Sequence, residues 1–375
     1  MNEHLRTGSP LQRVSRLGQS VWIDWLSRDL LESRELQRLI TEHAVVGVTT
    51  NPTILERAIA ASGAYDHQIR DLREFGLDPA GIFAEIAAND VSEAAIQLLP
   101  VWQATGGADG YVSWEVDPRL AWNPAGTVSE VARLTRRIDL PNLLVKIPAT
   151  EPGLLAIEDS IAAGYSINVT LIFSLERYAA VAESYLRGLR RAADAGLDLS
   201  KIHSVASLFI SRLDTAADAL LDQDKSPVTM ARRGRLGIAS AKLAYRHFQA
   251  VFNGPRWEAL SARGATPQRP LWASTSSKDP AYRDVRYVEK LIGPQTVTTL
   301  PKTTLEAFED HGLVAETLDR DVEQAALTLA DLAGLGVDLE LLTYNLERDG
   351  VAQFARSFDA AVERIRASSR SALAA

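Results

Sequence analysis

At 375 residues, with 46% apolar and 23% charged side chains, the chain exceeds one ordinary domain, lies within reach of a single large α/β barrel, and is too apolar for wholesale disorder. A net charge of −8, with basic residues scattered among acids, argues against a nucleic-acid partner. Without cysteine there are no disulfides, thiolate nucleophiles or cysteine metal sites, and the six histidines lack ligand spacing, so no metal is expected.

The N-terminal "MNEHLRTGSPLQRVSRLGQ" lacks the apolar core of a secretory signal, and no stretch is apolar for long enough to span a bilayer. No membrane partner and a cytoplasmic setting are therefore expected. Short β-branched or aromatic runs then alternate with longer segments of helical spacing. In chain order the predicted strands are Val21–Leu26, Val45–Pro52, Gly110–Pro118, Asn142–Thr150, Tyr165–Phe173, His203–Ser211, Pro270–Lys278 and Thr296–Thr304.

The connectors read as helices. In "SLERYAAVAESYLRGLRRAADAG", Tyr178, Val181, Ala182, Tyr185 and Leu189 form one apolar stripe, Ser174 is placed to cap the start and Gly196 to end the turn. Eight strands each followed by helical sequence, with no glycine-rich phosphate loop after the first, favour a closed (β/α)8 TIM barrel over an open doubly wound sheet. Residues 1–375 then form one barrel domain, with 1–16 as an N-terminal extension and 366–375 as a tail. The connector Asn253–Pro270 reads as a loop or insertion. The last helical segment, "LLTYNLERDGVAQFARSFDAAVERI", is a candidate lid over one barrel mouth.

In such a barrel alternate strand residues face inward, and chemistry sits where inward side chains emerge at the C-terminal mouth. In "YSINVTLIF", Ser166, Asn168 and Thr170 share one parity, while Ile167, Val169 and Leu171 share the other and are expected to face the helices. The same count puts Asp24, Asn51, Glu115 and Lys146 at the ends of the first four strands. Singly, the acids and Asn51 are ordinary helix caps or turn starters, and Asn168 and Thr170 could pair in the core.

Lys146 is harder to explain away, because a strand centre gives its stem little room to snorkel to water. An amine is nucleophilic only when neutral, and burial lowers its pKa by penalising the ammonium form. It can then attack a ketone, and neighbouring carboxylates such as Asp24 and Glu115 can shuttle the protons needed to form an imine and break the adjacent carbon–carbon bond. Arg212 in "FISRLD" and Lys278 in "ASTSSKDP", with Ser274 and Ser276 nearby, lie late on the sixth and seventh strands. There they suit a sugar-phosphate tail, against the bland alternative of surface ion pairs.

The motifs "VTTNPTI", "SWEVDP", "LLVKIPAT", "INVTLIFS", "VASLFISRLD" and "WASTSSKDP" give the chain, from about Leu17 to Ile365, a close resemblance to the transaldolases. The resemblance implies a metal-free and cofactor-free class I barrel that moves a dihydroxyacetone unit from sedoheptulose 7-phosphate to glyceraldehyde 3-phosphate, in the pentose phosphate pathway. It implies Lys146 as the Schiff-base nucleophile, Glu115 as acid and base through a water held by Thr170, and Asp24 as the base for bond cleavage. Asn51 and Asn168 would hold the donor hydroxyls, Ser207 would line the pocket, and Arg212 would bind phosphate. Many relatives carry arginine in the seventh-strand motif where "ASTSSKDP" stands, so Lys278 takes that role here without the bidentate fork.

Three rival readings are weighed against this one. A fructose 6-phosphate aldolase is similar in chemistry, but those relatives are much shorter and carry tyrosine in place of the glutamate. A pyridoxal phosphate barrel is disfavoured by two carboxylates and two amides that suit a bare sugar. A non-catalytic sugar-phosphate sensor would have no use for a buried nucleophile. Monomer and homodimer both remain open.

Overall fold

A computed structural model describes residues 7–372; the outermost parts of the predicted extension and tail, residues 1–6 and 373–375, lie outside it. All eight strands form: β1 (Gln19–Ile23), β2 (Val45–Thr49), β3 (Tyr111–Glu115), β4 (Leu143–Pro148), β5 (Ile167–Ile172), β6 (Ser204–Phe209), β7 (Arg269–Ala273) and β8 (Thr296–Leu300). They close in sequence order into an all-parallel barrel, with β1 paired to β8. The predicted strands overrun at their C-terminal ends, where the chain turns into the loops and helix caps of the mouth. Asn51, for example, already caps the helix Pro52–Ala61.

Outward residues such as Val21, Val48, Val112, Val145, Val169, Leu208 and Trp272 belong to the large core between strands and helices. Inward residues stack in layers. At the N-terminal mouth Arg269 donates to Ser20 Oγ at 2.8 Å and pairs with Asp109 at 2.9 Å, plugging the barrel with charge. Above that plug Trp22, Tyr111, Leu144, Val205, Leu271 and Val297 are buried in one apolar cluster. Gly47 makes room for it, since a Cβ there would meet the Trp22 ring at 2.5 Å.

The helix Leu175–Asp194 forms as expected, with Ser174 Oγ accepting from Arg177 N at 3.0 Å and Gly196 turning at φ 79°. The connector 253–270 is more than a loop. It carries the helix Pro255–Ser261, whose Trp257 packs edge-on against Phe252 at 4.9 Å, and it precedes β7 on the side away from the C-terminal mouth. The chain's last helix, Leu339–Ala372, crosses the C-terminal rim and touches the helix Pro52–Ala61, the turn Pro118–Leu120 and the helix Ser211–Leu221.

One expectation fails on this strand-by-strand map. Leu171 does not face the helices with Ile167 and Val169. The β5–β6 register shifts between Val169 and Ile172, Leu171 takes φ 58°, and its side chain joins Phe173 and Phe354 in the cluster that includes the mouth. An inserted residue reverses parity beyond it. Gly350 of the last helix leaves space for it, because a Cβ there would sit 2.9 Å from Leu171 Cδ2. Among the described residues no helix is long and apolar enough to cross a membrane.

Candidate active site

The barrel register gathers the reactive groups. Glu115 on β3 lies beside Lys146 on β4, Lys146 lies beside Asn168 on β5, and Thr170 sits opposite Pro148 at the strand end. Asp24 follows β1 directly, and its N–H donates to Leu300 O at 3.1 Å, which fixes the loop leaving the strand. Lys146 is only 4% exposed and Glu115 only 6%.

Burial dominates the electrostatics of all three. It lowers the Lys146 pKa, a shift opposed by Glu115 and Asp24 and reinforced by Arg212. It pushes Glu115 up to about 7 against the pull of Lys146 and Arg212. It pushes Asp24, a residue of intermediate exposure, up to about 6 against Lys146 and Lys278. A lysine poised to lose its proton therefore faces two carboxyls poised to take or give one near neutrality.

Both Glu115 oxygens and Thr170 Oγ1 are buried without a hydrogen-bond partner among the described residues. Each such atom costs about 1–3 kcal/mol, so these groups serve something other than the fold. Asn168, by contrast, is held fast: its Nδ2 donates to Ser113 Oγ at 2.9 Å and its Oδ1 accepts from Ser207 Oγ at 2.7 Å. Asn51 spends its Oδ1 on the cap, accepting from Ile54 N at 3.0 Å, and has its Nδ2 left over. A cavity of about 250 Å³ borders Asn51 and Glu115, walled by Trp114, Phe83, Leu134 and Phe358. It lies beside the reactive layer and does not contain Lys146.

Arg212 stands at the start of the helix Ser211–Leu221, half-buried, with its guanidinium over the Phe209 ring at 5.2 Å. Among the described residues it has no hydrogen bond or ion pair with protein, so its donors are uncommitted. Burial lowers its pKa and Glu115 raises it. Asp214 anchors this helix, accepting from Gly237 N at 2.7 Å and Tyr287 Oη at 2.8 Å. Ser274 adopts φ 55°, and its hydroxyl meets Ser211 Oγ at 2.8 Å, tying the ends of β6 and β7 together. Lys278 lies further out, exposed on the rim, where its ammonium donates to Ser276 Oγ at 2.7 Å.

The motif reading passed over Thr49 and Thr50. Lys146 Nζ donates to Thr49 Oγ1 at 3.3 Å and to Thr50 O at 3.2 Å, and to no carboxylate. The available signal was parity, because Thr49 stands two residues before Asn51 in "VTTNP" and so shares its face.

The family model described as transaldolase/fructose-6-phosphate aldolase matches residues 21–365. The chain belongs to that family. Its full-length relatives agree: the transaldolase of Frankia alni is 47% identical over 352 residues, covering 94% of this chain and 95% of its own. The "Transaldolase 2" of Streptomyces avermitilis is 48% identical over 350 residues, covering 93% and 94%. The transaldolase of Thermobifida fusca is 47% identical over 359 residues, covering 96% and 98%. The family resemblance carried by the six motifs is thus borne out, and the family is enzymatic.

Proposed function

We propose that the chain is a transaldolase that carries a dihydroxyacetone unit on Lys146, from sedoheptulose 7-phosphate to glyceraldehyde 3-phosphate. The observation that carries this reading is a buried lysine of lowered pKa between two carboxyls of raised pKa, at the C-terminal mouth of the barrel. Three relatives bearing the transaldolase name over nearly their whole length support the same reaction.

In this reading the neutral Lys146 amine attacks the ketone carbon, and the carbonyl electron pair moves to oxygen. A proton passes from nitrogen to that oxygen through a water held by Glu115 and Thr170. Glu115, protonated near neutrality, then gives a proton to the new hydroxyl, which leaves as water while the nitrogen lone pair closes the iminium. Asp24 takes the proton of the hydroxyl beyond the scissile bond. That bond's electrons flow into the iminium, erythrose 4-phosphate departs, and an enamine remains on the lysine.

The enamine attacks the aldehyde of glyceraldehyde 3-phosphate, and the steps in reverse release fructose 6-phosphate. Asn51 and Asn168 hold the hydroxyls of the carried unit, beside Ser207. Arg212 binds phosphate through its uncommitted fork, with Ser274 beside it and Lys278 as an outer charge. Such substrates place the reaction in the pentose phosphate pathway and the cytoplasm, because phosphorylated sugars do not cross membranes unaided.

The test is a coupled assay with fructose 6-phosphate as donor and erythrose 4-phosphate as acceptor, run with and without the acceptor. Product that depends on the acceptor is expected, together with a three-carbon adduct at Lys146 after borohydride reduction. Acceptor-independent release of dihydroxyacetone would make the chain an aldolase instead, and labelling at another lysine would remove Lys146 from its role.

A further inference from the structure

A neutral primary amine has three substituents, one carbon and two hydrogens, and a single lone pair in the fourth tetrahedral direction. At Lys146 both hydrogens have acceptors, and both acceptors come from the end of β2: Thr49 Oγ1 at 3.3 Å and Thr50 O at 3.2 Å. Thr49 is 5% exposed and Thr50 is fully buried. Thr50 is itself fixed, its hydroxyl donating to Ser113 O at 2.9 Å and its N–H to the same carbonyl at 3.1 Å. With Cε and both hydrogens committed, one direction is left for the lone pair, away from β2 and into the barrel mouth.

We infer that Thr49 is a positioning residue, whose hydroxyl, with the Thr50 carbonyl, aims the Lys146 lone pair at the incoming ketone carbon. This rests on the proposed lysine chemistry. The carboxyls handle protons but leave the amine free to rotate about its Cδ–Cε and Cε–Nζ bonds. The two β2 acceptors remove that rotation before substrate arrives, which is the form of preorganisation that converts encounter into attack. When the iminium forms, nitrogen keeps one hydrogen, and it needs one acceptor where the amine had two. The rigid Thr50 carbonyl can keep it while the Thr49 hydroxyl is released.

An electrostatic role for the Thr49 hydroxyl predicts the opposite sign. A hydroxyl oxygen accepting from nitrogen favours the charged ammonium, so its loss would lower the Lys146 pKa and enlarge the neutral fraction. A purely electrostatic Thr49 would therefore make the variant faster at acidic pH. The remaining charged groups facing the amine, Glu115, Asp24 and Arg212, are unchanged by the substitution.

The experiment is rapid-quench borohydride trapping of the fructose 6-phosphate adduct at Lys146, read by mass spectrometry, in the full chain and in Thr49→Val and Thr49→Ser. Valine keeps the shape and loses the acceptor; serine keeps the acceptor. The trapping rate of Thr49→Val is expected to fall about 10- to 100-fold at every pH between about 6 and 9, with KM changed by less than about 3-fold. Thr49→Ser is expected to recover to within about 3-fold of the parent. Trapping by Thr49→Val at the parent rate, or faster in acid, would overturn the inference, as would a Thr49→Ser protein as slow as Thr49→Val. Failure of the unsubstituted chain to trap any adduct at Lys146 would instead bring down the proposed function itself.

Discussion

Replacing Lys146 with methionine keeps an unbranched stem out to the ε position and deletes the amine, and its consequence for stability can be worked from the three pKa shifts. The lysine pKa is lowered from 10.5 in the fold, so between the lowered value and 10.5 the folded state binds fewer protons than the unfolded chain and stability rises with pH. The carboxyls act in the other direction. Glu115 is raised from 4.5 to about 7 and Asp24 from 3.8 to about 6, so their contribution is full below the unfolded values and is lost as pH rises through the folded ones. At about 1.4 kcal/mol per unit, each carboxyl accounts for a loss of about 3 kcal/mol across its window. In the parent protein the lysine contributes a rising slope and the carboxyls a falling one. In Lys146→Met only the falling slope survives, and both carboxyls, deprived of their shared cation, titrate higher still. The variant's stability relative to the parent is therefore expected to decline by about 1.4 kcal/mol per pH unit for each extra proton retained, between about pH 6 and 8. Below about pH 5, where the carboxyls are neutral and no amine needs desolvating, the variant is expected to equal or exceed the parent. Urea midpoints multiplied by the m-value, measured across this range, give the comparison directly. Parallel curves for the two proteins would mean that the amine and carboxyls do not share protons in the fold, and the reasoning would fail.

Glu115→Gln removes the largest influence raising the Lys146 pKa, so the acid limb of borohydride trapping is expected to move to lower pH while steady-state transfer falls about 100- to 10,000-fold. Arg212→Ala is expected to raise KM for fructose 6-phosphate about 10- to 100-fold, since a charge-assisted contact is worth about 1.5–3 kcal/mol, and to leave use of unphosphorylated fructose unchanged. Asp214→Ala strands two buried donors, Gly237 N and Tyr287 Oη, and is expected to destabilise the fold by about 2–5 kcal/mol in urea unfolding. Asp214→Asn, whose single amide oxygen keeps an acceptor for one of the two donors and whose NH2 can donate to the tyrosine oxygen, is expected to lose less.

Much of this architecture is local in origin and so could be read along the chain. Period-2 runs separated by helical spacing place all eight strands, and parity alone sends Glu115, Lys146, Asn168 and Thr170 to one face. What stayed hidden depends on register between strands distant in sequence. The lysine amine is bound by β2, about a hundred residues upstream, a relation fixed only when the barrel closes. Leu171 was misread because parity assumes an unbroken strand, and nothing in "NVTLIF" announces the bulge. The helix Pro255–Ser261 was overlooked because its polar surroundings resemble a loop, although proline at its first position is a recognised helix start. Arg269 fell one residue outside its predicted strand, so the charged plug it forms with Asp109 and Ser20 was not anticipated.

That plug bears on the chemistry at the opposite mouth. A charged floor alone would admit water to the barrel axis and leave the lysine hydrated. The apolar belt of Trp22, Leu144, Val205, Leu271 and Val297 lies between floor and amine, so Lys146 is desolvated from below and open only upward. Desolvation is the largest influence on Lys146, Glu115 and Asp24 alike. Burial therefore acts in opposite directions on the two kinds of group, lowering the pKa of the lysine and raising those of the two carboxyls, which is the direction the proposed chemistry needs. Of the two cations nearer the rim, Lys278 is exposed while Arg212 is half-buried, and a guanidinium keeps its charge through partial burial, as the proposed phosphate contact requires.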